Sequence, residues 1–168
     1  MSRITVCAAT LALAGASLPA LAHVGLEPAQ AVANSTVNVA FRIGHGCGES
    51  PTTAIKVRIP AGVTGVQPQP KPGWTLAVTK GPLPGVVAAA GAAVAEGVIQ
   101  VDWTGGKLPV EFFDTFVLRM KMPNAPGTTL YFPIVQECEN GAHRWIEPTV
   151  PGQPEPPEPM PGVRLTAP

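Results

Sequence analysis

His23 is the residue of this sequence with the clearest capacity for chemistry, because it follows a segment that a signal peptidase would remove. Ala20-Leu21-Ala22 has the small-x-small pattern of a cleavage site, which would make His23 the first residue of the mature chain. A first histidine offers a metal ion two nitrogens, its α-amine and its ring Nδ1, in one six-membered chelate. Both nitrogens must be deprotonated to bind, and Cu(II) has the highest affinity of the divalent ions for such ligands. His23 therefore predicts a copper site.

Asp114 is the carboxylate with the least ordinary position in the sequence. Alternate residues of Phe112–Lys121 are apolar, and Asp114 lies in their register. An acid on a core-facing row needs a cation, hydrogen bonds or a metal ion as its partner. Asp114 is therefore either an oxygen ligand of the copper ion or an acid bonded to turn amides at the start of a strand. The glutamates that compete for the ligand position are Glu27, Glu111, Glu137 and Glu139.

Trp145 and the two remaining histidines complete the set of candidate residues. A tryptophan on a strand is typical of a core, and beside a copper ion Trp145 would shield the metal from water. His45 and His143 lie in polar, glycine-containing turns, where an exposed imidazole without a metal is the usual outcome. Nucleophile elbows, phosphate-binding glycine loops and CxxC pairs are absent from the sequence, which argues against standard hydrolase or kinase chemistry.

Short runs of period two predict the strands that must position these residues. The clearest run is Ala54–Ile59, whose apolar residues alternate with Lys56 and Arg58. Comparable strands are predicted at Ser35–Phe41, Trp74–Lys80, Val98–Trp103, Phe112–Lys121, Thr129–Gln136 and Arg144–Glu147. Short strands separated by glycine and proline turns, in a chain with 21 prolines, predict an all-β fold, an antiparallel β-sandwich.

The sequence predicts three parts. Residues 1–22 have the basic start and short apolar run of a signal peptide, too short for a bilayer span of about 20 residues. Residues 23–150 are predicted to form one β-sandwich domain, and residues 151–168 a proline-rich tail without a packed core. Pro82–Gly97 is predicted to be a hairpin insertion or a flexible loop, with a short alanine-rich helix as the alternative.

The charge and cysteine content indicate the compartment and the kinds of partner. Lys and Arg total 11 and Asp and Glu total 11, a balance that argues against nucleic acid or an anionic membrane as partner. Cys7 belongs to the signal peptide, which leaves Cys47 and Cys138 in the mature chain. Two cysteines in an exported protein are expected to form a disulfide, and two free thiols or a soft-metal site are the alternative.

Several short motifs are specific as a set through their order and spacing. In chain order they are His23-Val24 with Glu27-Pro28, then Pro72-Gly73-Trp74, Trp103-Thr104-Gly105-Gly106 with Leu108-Pro109, Phe113-Asp114-Thr115-Phe116, and Gln136 through Trp145. Together they resemble the YcnI-like copper-binding domain of bacterial exported proteins. They extend from residue 23 to about residue 148. The sequences around Cys47 and Cys138 resemble those of the family members that carry a cystine.

The resemblance implies a cupredoxin-like or immunoglobulin-like sandwich that holds Cu(II) in a single-histidine brace. His23 would supply the amine and Nδ1, Asp114 would be the acid that adds an oxygen, and Trp145 would lie beside the metal. The resemblance further implies an exported, periplasmic or cell-surface copper chaperone or scavenger rather than an enzyme. Its partner in copper homeostasis would be a membrane copper transporter or another copper protein.

Two other classes of function compete with this one. A copper-dependent oxidative enzyme resembling the polysaccharide monooxygenases needs a second histidine, which only His45 or His143 could supply. A structural or adhesion sandwich would carry His23 incidentally, because sandwiches host many unrelated functions. Copper binding by the mature protein would exclude the structural class, and oxygen-dependent turnover with a reductant would identify the enzyme.

Overall fold

The computed structural model describes residues 23–83 and 95–168, and the chain in these ranges is built from β-strands. The predicted signal peptide, residues 1–22, lies outside the described residues. Over the two described ranges, no helix is long and apolar enough to cross a membrane. The all-β fold predicted from the alternating sequence pattern is confirmed.

The strands of residues 23–83 and 95–168, numbered along the chain, form three sheets. The first contains β1 (Gly25–Glu27), β3 (Thr36–Ile43), β5 (Thr64–Pro68) and β8 (Asp114–Lys121), in the order β1-β3-β8-β5. The second contains β4 (Thr52–Arg58), β6 (Thr75–Pro82), β7 (Glu96–Leu108), β10 (Ile134–Cys138) and β11 (Ala142–Trp145), in the order β11-β10-β4-β7-β6. The third contains β2 (Gln30–Val32), β9 (Thr129–Tyr131) and β12 (Gly162–Thr166), in the order β2-β12-β9. Neighbouring strands are antiparallel except β2 and β12, which are parallel.

The core lies between the two larger sheets and follows from the alternation of apolar residues. Ile55 and Val57 of β4 are fully buried, while Arg58 is exposed. Trp103 of β7 lies edge-on to Phe116 of β8, with ring centroids 5.4 Å apart, so the two sheets face each other across one core. Burying one large aliphatic or aromatic side chain stabilises a fold by about 1.5–3 kcal/mol, so these central rows contribute much of the stability.

The predicted strands differ in extent from those in the structure, and two of the differences change which sheet or face a residue belongs to. Thr129–Gln136 is divided into β9 and β10, which belong to different sheets, and Pro133 lies between them without an N–H to donate. The strand predicted from Phe112 begins instead at Asp114. Phe112 and Phe113 are 59% and 71% exposed, so Phe112 does not belong to the core-facing row.

The segment Pro82–Gly97 has the ends of a hairpin. β6 and β7 pair as far as Pro82 with Glu96, and the amide of Leu83 donates to the carbonyl of Ala95 at 2.8 Å. These contacts support the hairpin interpretation for the described ends of the segment. Residues 84–94 lie outside the described residues.

The domain boundary predicted at residue 150 is wrong, because the C-terminal segment contains a core strand. β12 pairs with β2 on one side and β9 on the other, and Val163 and Leu165 are 0% and 1% exposed. Arg164 between them points outward. The prolines of residues 151–161 therefore connect two parts of one domain, and the folded chain extends to Thr166.

Cys47 and Cys138 form the predicted disulfide. Their Cα atoms are 6.0 Å apart, and the bond closes a loop of 91 residues between the segment after β3 and the end of β10. Closing a loop of this length stabilises a fold by up to about 4–5 kcal/mol in the chain-entropy account. Disulfides persist in oxidising compartments, so the bond agrees with an exported protein.

The position of Leu165 in the core predicts that shortening its side chain destabilises the whole domain. Leu165→Ala should lower the free energy of unfolding by about 2–5 kcal/mol, because it removes buried methyl groups and leaves a cavity. Urea unfolding of the purified protein measures this change. Arg164→Ala is the matched control on the same strand and should cost less than about 0.5 kcal/mol. Equal, small effects of the two variants would contradict the placement of β12 in the core.

Candidate metal centre

All three histidines of the chain lie around one tryptophan, Trp145. The ring centroids of His23, His45 and His143 are 6.0, 6.2 and 5.2 Å from that of Trp145. Trp145 itself is 3% exposed. The fold thus brings imidazoles from the start, the first third and the last third of the chain to one indole.

Strand register places Trp145 and His143 on the same face of β11. They are two residues apart on one strand, and residues with this spacing point to the same side. On the neighbouring strand β10, Ile134 lies opposite Trp145 and Gln136 opposite His143. Ile134 and Gln136 are both buried, so this row begins in the core and ends, at His143, at its polar rim.

Gln136 holds the indole of Trp145 and the loop of His45 in place. Nε1 of Trp145 donates to Oε1 of Gln136 at 3.1 Å. Nε2 of Gln136 donates to the carbonyl of His45 at 2.6 Å and to Oγ1 of Thr52 at 2.8 Å. Buried networks of this kind are rigid when every member has a partner, so the orientation of Trp145 is set before any ligand binds.

The ring of His23 has one nitrogen buried and the other facing a carboxylate. Its side chain is 26% exposed, and Nδ1 lies 3.9 Å from Oε1 of Glu155. Nε2 is buried and makes no hydrogen bond. Nδ1 is the nitrogen that would close a chelate with the α-amine of a processed His23, and it is the one on the side of Glu155.

Asp114 has a different partner from the one predicted. Its Oδ1 lies 2.6 Å from Nζ of Lys71 and accepts a hydrogen bond from the amide of Thr115 at 2.7 Å. The cation and the amide satisfy the charge of an acid on the core-facing row. The carboxylate that the structure brings to the His23 ring is Glu155, so the expectation that Asp114 would be the acid nearest His23 is corrected.

The other glutamates considered as ligands are placed as follows. Glu111 is exposed on the loop before β8. Three are in ion pairs with cations, namely Glu27 with Arg42, Glu137 with Lys56, and Glu139 with Lys107. In the part of the chain that the structure describes, His23 and His143 are paired with glutamates of the C-terminal segment instead.

Glu155 and Glu158 are the site residues that sequence reasoning missed, because they lie in the segment predicted to be a tail. Oε1 of Glu158 is 2.6 Å from Nδ1 of His143, and Oε2 accepts the amide hydrogen of Arg144 at 2.7 Å. Burial raises the pKa of Glu158, but the hydrogen bonds from His143 and Arg144, with their charges, outweigh it and hold this pKa below its ordinary value. The sequence signal that this segment packs against the domain is the apolar alternation of Val163 and Leu165.

His45 and His143 are half-buried rather than exposed, and His45 lies in the loop after β3 as the sequence predicted. The side chain of His143 is 28% exposed and lies on β11, and the two rings lie 5.5 Å apart. Within residues 23–83 and 95–168, no group of three or more His, Cys, Asp or Glu side chains is arranged to hold a metal ion. A metal at His23 would therefore need the additional nitrogen that signal-peptide cleavage creates.

Comparisons with known proteins agree with this fold. The family described as a domain of unknown function (DUF1775) matches residues 23–165, a range that includes most of β12. The crystal structure of an uncharacterized protein from Nocardia farcinica, reported to have an immunoglobulin-like fold, has a TM-score of 0.66 and 27% sequence identity to this chain. The similarity covers 86% of this chain and 99% of that one. No curated protein matches this chain.

The lowered pKa of Glu158 predicts a pH-dependent contribution to stability. The folded chain protonates Glu158 less readily than the unfolded chain does. The stability that ionised Glu158 contributes is therefore complete above the ordinary glutamate pKa of about 4.3, and it is lost as the pH falls through the lower pKa of the folded state. Glu158→Gln should therefore lower the urea midpoint of the metal-free protein at pH 7, with a smaller difference at about pH 3. Glu49→Gln, at an exposed position, is the control. A difference that grows on acidification would contradict the assignment.

Proposed function

This chain belongs to the DUF1775 family, and we propose that it is an exported copper-binding protein that holds Cu(II) at His23 once the signal peptide is removed. YcnI-like domains belong to this family, so the family match supports the resemblance found in the motifs. Copper is the cargo of the proposed protein, which acts as a chaperone or scavenger in copper homeostasis. The proposal includes a periplasmic or cell-surface location.

The observation that carries the proposal is the gathering of all three histidines around Trp145. Imidazole is a common ligand for copper and zinc, and nitrogen ligands in a tetragonal set favour Cu(II). A structural sandwich has no need to bring its three histidines to one buried indole. The arrangement therefore favours metal binding over the structural class of function.

The orientation of the His23 ring supports the single-histidine brace. With Nε2 buried, Nδ1 is the ring nitrogen on the side of Glu155, and only Nδ1 forms a six-membered chelate with the α-amine. Trp145 covers another side of the ring, where it would keep water from the ion. The chain would thus provide the ring nitrogen of His23, the α-amine that cleavage frees, and an apolar wall formed by Trp145.

Glu155 is the acid that we propose for the oxygen ligand, in place of Asp114. Its carboxylate is 3.9 Å from Nδ1 of His23 and its side chain is 58% exposed, so it is able to move toward an ion. Asp114 is held by Lys71, whose side chain is only 19% exposed. Moving Asp114 to a metal would leave a partly buried ammonium with the carbonyl of Thr115 but without a carboxylate to balance its charge, which is unfavourable.

Partial exposure of the site suits an ion that is passed on. The side chains of His23 and His143 are 26% and 28% exposed, so a partner protein has access to the donor atoms. A membrane copper transporter or another copper chaperone is the class of partner that would receive or supply the ion. The near-neutral charge of the chain agrees with a protein partner rather than a nucleic acid.

The free α-amine of His23 should be necessary for Cu(II) binding. Adding one alanine before His23 turns the amine into an amide, and His23→Ala removes the ring nitrogen. Each change removes a direct ligand of the ion. It should therefore weaken Cu(II) binding by more than the roughly 10–100-fold that is lost when a group hydrogen-bonded to a metal ligand is removed. Competitive Cu(II) titration of the processed protein at pH 7, after mass analysis of its N-terminus, measures the affinity.

The processed wild-type protein is the reference for both changes. Thermal unfolding should show that both variants remain folded, with His23→Ala less stable because it loses the contact of the ring with Trp145. Unchanged Cu(II) affinity in the extended protein and in His23→Ala would exclude the brace. Oxygen-dependent turnover by the copper-loaded protein with a reductant would instead favour the oxidative-enzyme alternative.

Glu155→Gln and Asp114→Asn form a matched pair that identifies the acid. Glu155→Gln should weaken Cu(II) binding about 10-fold or more without a large loss of stability, because its side chain is mostly exposed. Asp114→Asn should keep Cu(II) affinity within about 3-fold but lower the urea midpoint, because it removes the charge that pairs with Lys71. The reverse pattern of affinities would restore Asp114 as the ligand.

A further inference from the structure

The proline-rich segment carries two glutamates, and each of them faces a histidine beside Trp145. Oε1 of Glu155 lies 3.9 Å from Nδ1 of His23, and Oε1 of Glu158 lies 2.6 Å from Nδ1 of His143. The rings of both histidines contact the indole of Trp145. The side chain of Glu155 is 58% exposed and that of Glu158 is 30% exposed. Glu155 therefore has room to move toward an ion, and Glu158 is the more enclosed of the two acids.

Glu158 is fixed to β11 and to the chain that follows it, through both its side chain and its backbone. One carboxylate oxygen contacts His143, and the other accepts the amide hydrogen of Arg144 at 2.7 Å. The amide of Glu158 donates to Oε2 of Glu147 at 2.7 Å, and its carbonyl accepts the amide hydrogen of Glu147 at 3.1 Å. Hydrogen bonds to an ionised carboxylate are roughly twice as strong as those between neutral groups. Glu158 is thus an anchor point of the segment.

Prolines connect this anchor to Glu155. Pro156 and Pro157 separate the two glutamates, and Pro154 precedes Glu155. A proline ring fixes its own φ and restricts the residue before it to extended backbone conformations. Three residues of chain reach at most about 10 Å, so an anchor at Glu158 also limits where Glu155 can lie. A restricted backbone has less conformational entropy to lose when its side chain binds an ion.

We infer that Glu158 is a positioning residue for the copper site, because it anchors the segment that presents Glu155 to His23. The role of copper rests on the proposed function, whereas the placement of Glu155 rests on contacts that involve no metal. Glu158 is not itself a ligand, since both of its oxygens are engaged by β11. Its loss releases Glu155 from its place beside the ring and so weakens the oxygen ligand of the ion.

A double-mutant cycle for Cu(II) affinity, measured on the processed protein, tests whether Glu158 acts through Glu155. Glu158→Ala should weaken Cu(II) binding about 10-fold, the lower end of the loss seen when a group that supports a metal ligand is removed. In the Glu155→Gln background, the same change should cost less than about 2-fold, because the acid that it positions is already gone. Full multiplication of the two single losses would overturn the inference, since residues that act independently have additive free energies.

The prolines supply a second variant, in which both carboxylates remain. Replacing Pro156 and Pro157 together by glycine should weaken Cu(II) binding about 3-fold or more, because it restores freedom to the link between anchor and ligand. Gln153→Ala, at an exposed position of the same segment, is the matched control and should stay within about 2-fold of the wild type. An equal loss in Gln153→Ala would show that any change in the segment has this effect, and it would overturn the specific role of Glu158.

The metal-free processed protein gives a readout that does not depend on copper. The nuclear Overhauser contact between the side-chain protons of Glu155 and the ring protons of His23 should be present in the wild type and lost in Glu158→Ala. Its persistence in Glu158→Ala would overturn the inference, whatever the Cu(II) titration gives. Its loss in a protein that binds no Cu(II) would remove the proposed function and leave Glu158 as the group that places Glu155. Glu158→Gln replaces the alanine variant in both measurements if thermal unfolding shows that Glu158→Ala does not fold.

Discussion

The arrangement around Trp145 depends on the buried side-chain amide of Gln136. Its oxygen accepts a hydrogen bond from the indole N–H of Trp145, and its nitrogen donates hydrogen bonds to the carbonyl of His45 and the hydroxyl of Thr52. A buried polar group without a partner costs about 1–3 kcal/mol, so the three partners are strongly favoured to stay in place. Because they belong to β11, the segment after β3, and β4, one side chain fixes the relative positions of three parts of the fold.

The proline-rich segment of residues 151–161 closes the other side of the site. The amide of Glu147 donates to the carbonyl of Glu158, and the amide of Met160 donates back to the carbonyl of Glu147. Prolines have no N–H to satisfy, so a segment of this composition crosses a protein surface with few backbone hydrogen bonds. The segment lays Glu155 beside His23 and Glu158 beside His143, and then continues into the core as β12.

Local patterns in the sequence determined the fold class and most of the strands. Alternation in Ala54–Ile59 identifies a half-buried strand because side chains on a strand point to opposite faces in turn. The pairing of Cys47 with Cys138 followed from the number of cysteines left after export, with no need of a structure. Asp114 was correctly placed on a core-facing row that required a partner, because alternation reports the face of each residue. The strands and the face of Asp114 depend on neighbours in sequence, and the disulfide on the number of cysteines, so the sequence alone is sufficient for them.

The tertiary structure decided which residues meet. Alternation does not reveal that Lys71 reaches Asp114, or that His23 and His45 come to Trp145, because these contacts join residues that are far apart in the chain. The strand β12 carries only Val163 and Leu165 as buried apolar residues after a run of prolines, too short a pattern to stand out. The position of β12 depends on its pairing with β2 on one side and with β9 on the other. The site thus depends on strand register and on the C-terminal segment that packs beside the histidines. Both are fixed only by the packing of segments that are distant in sequence.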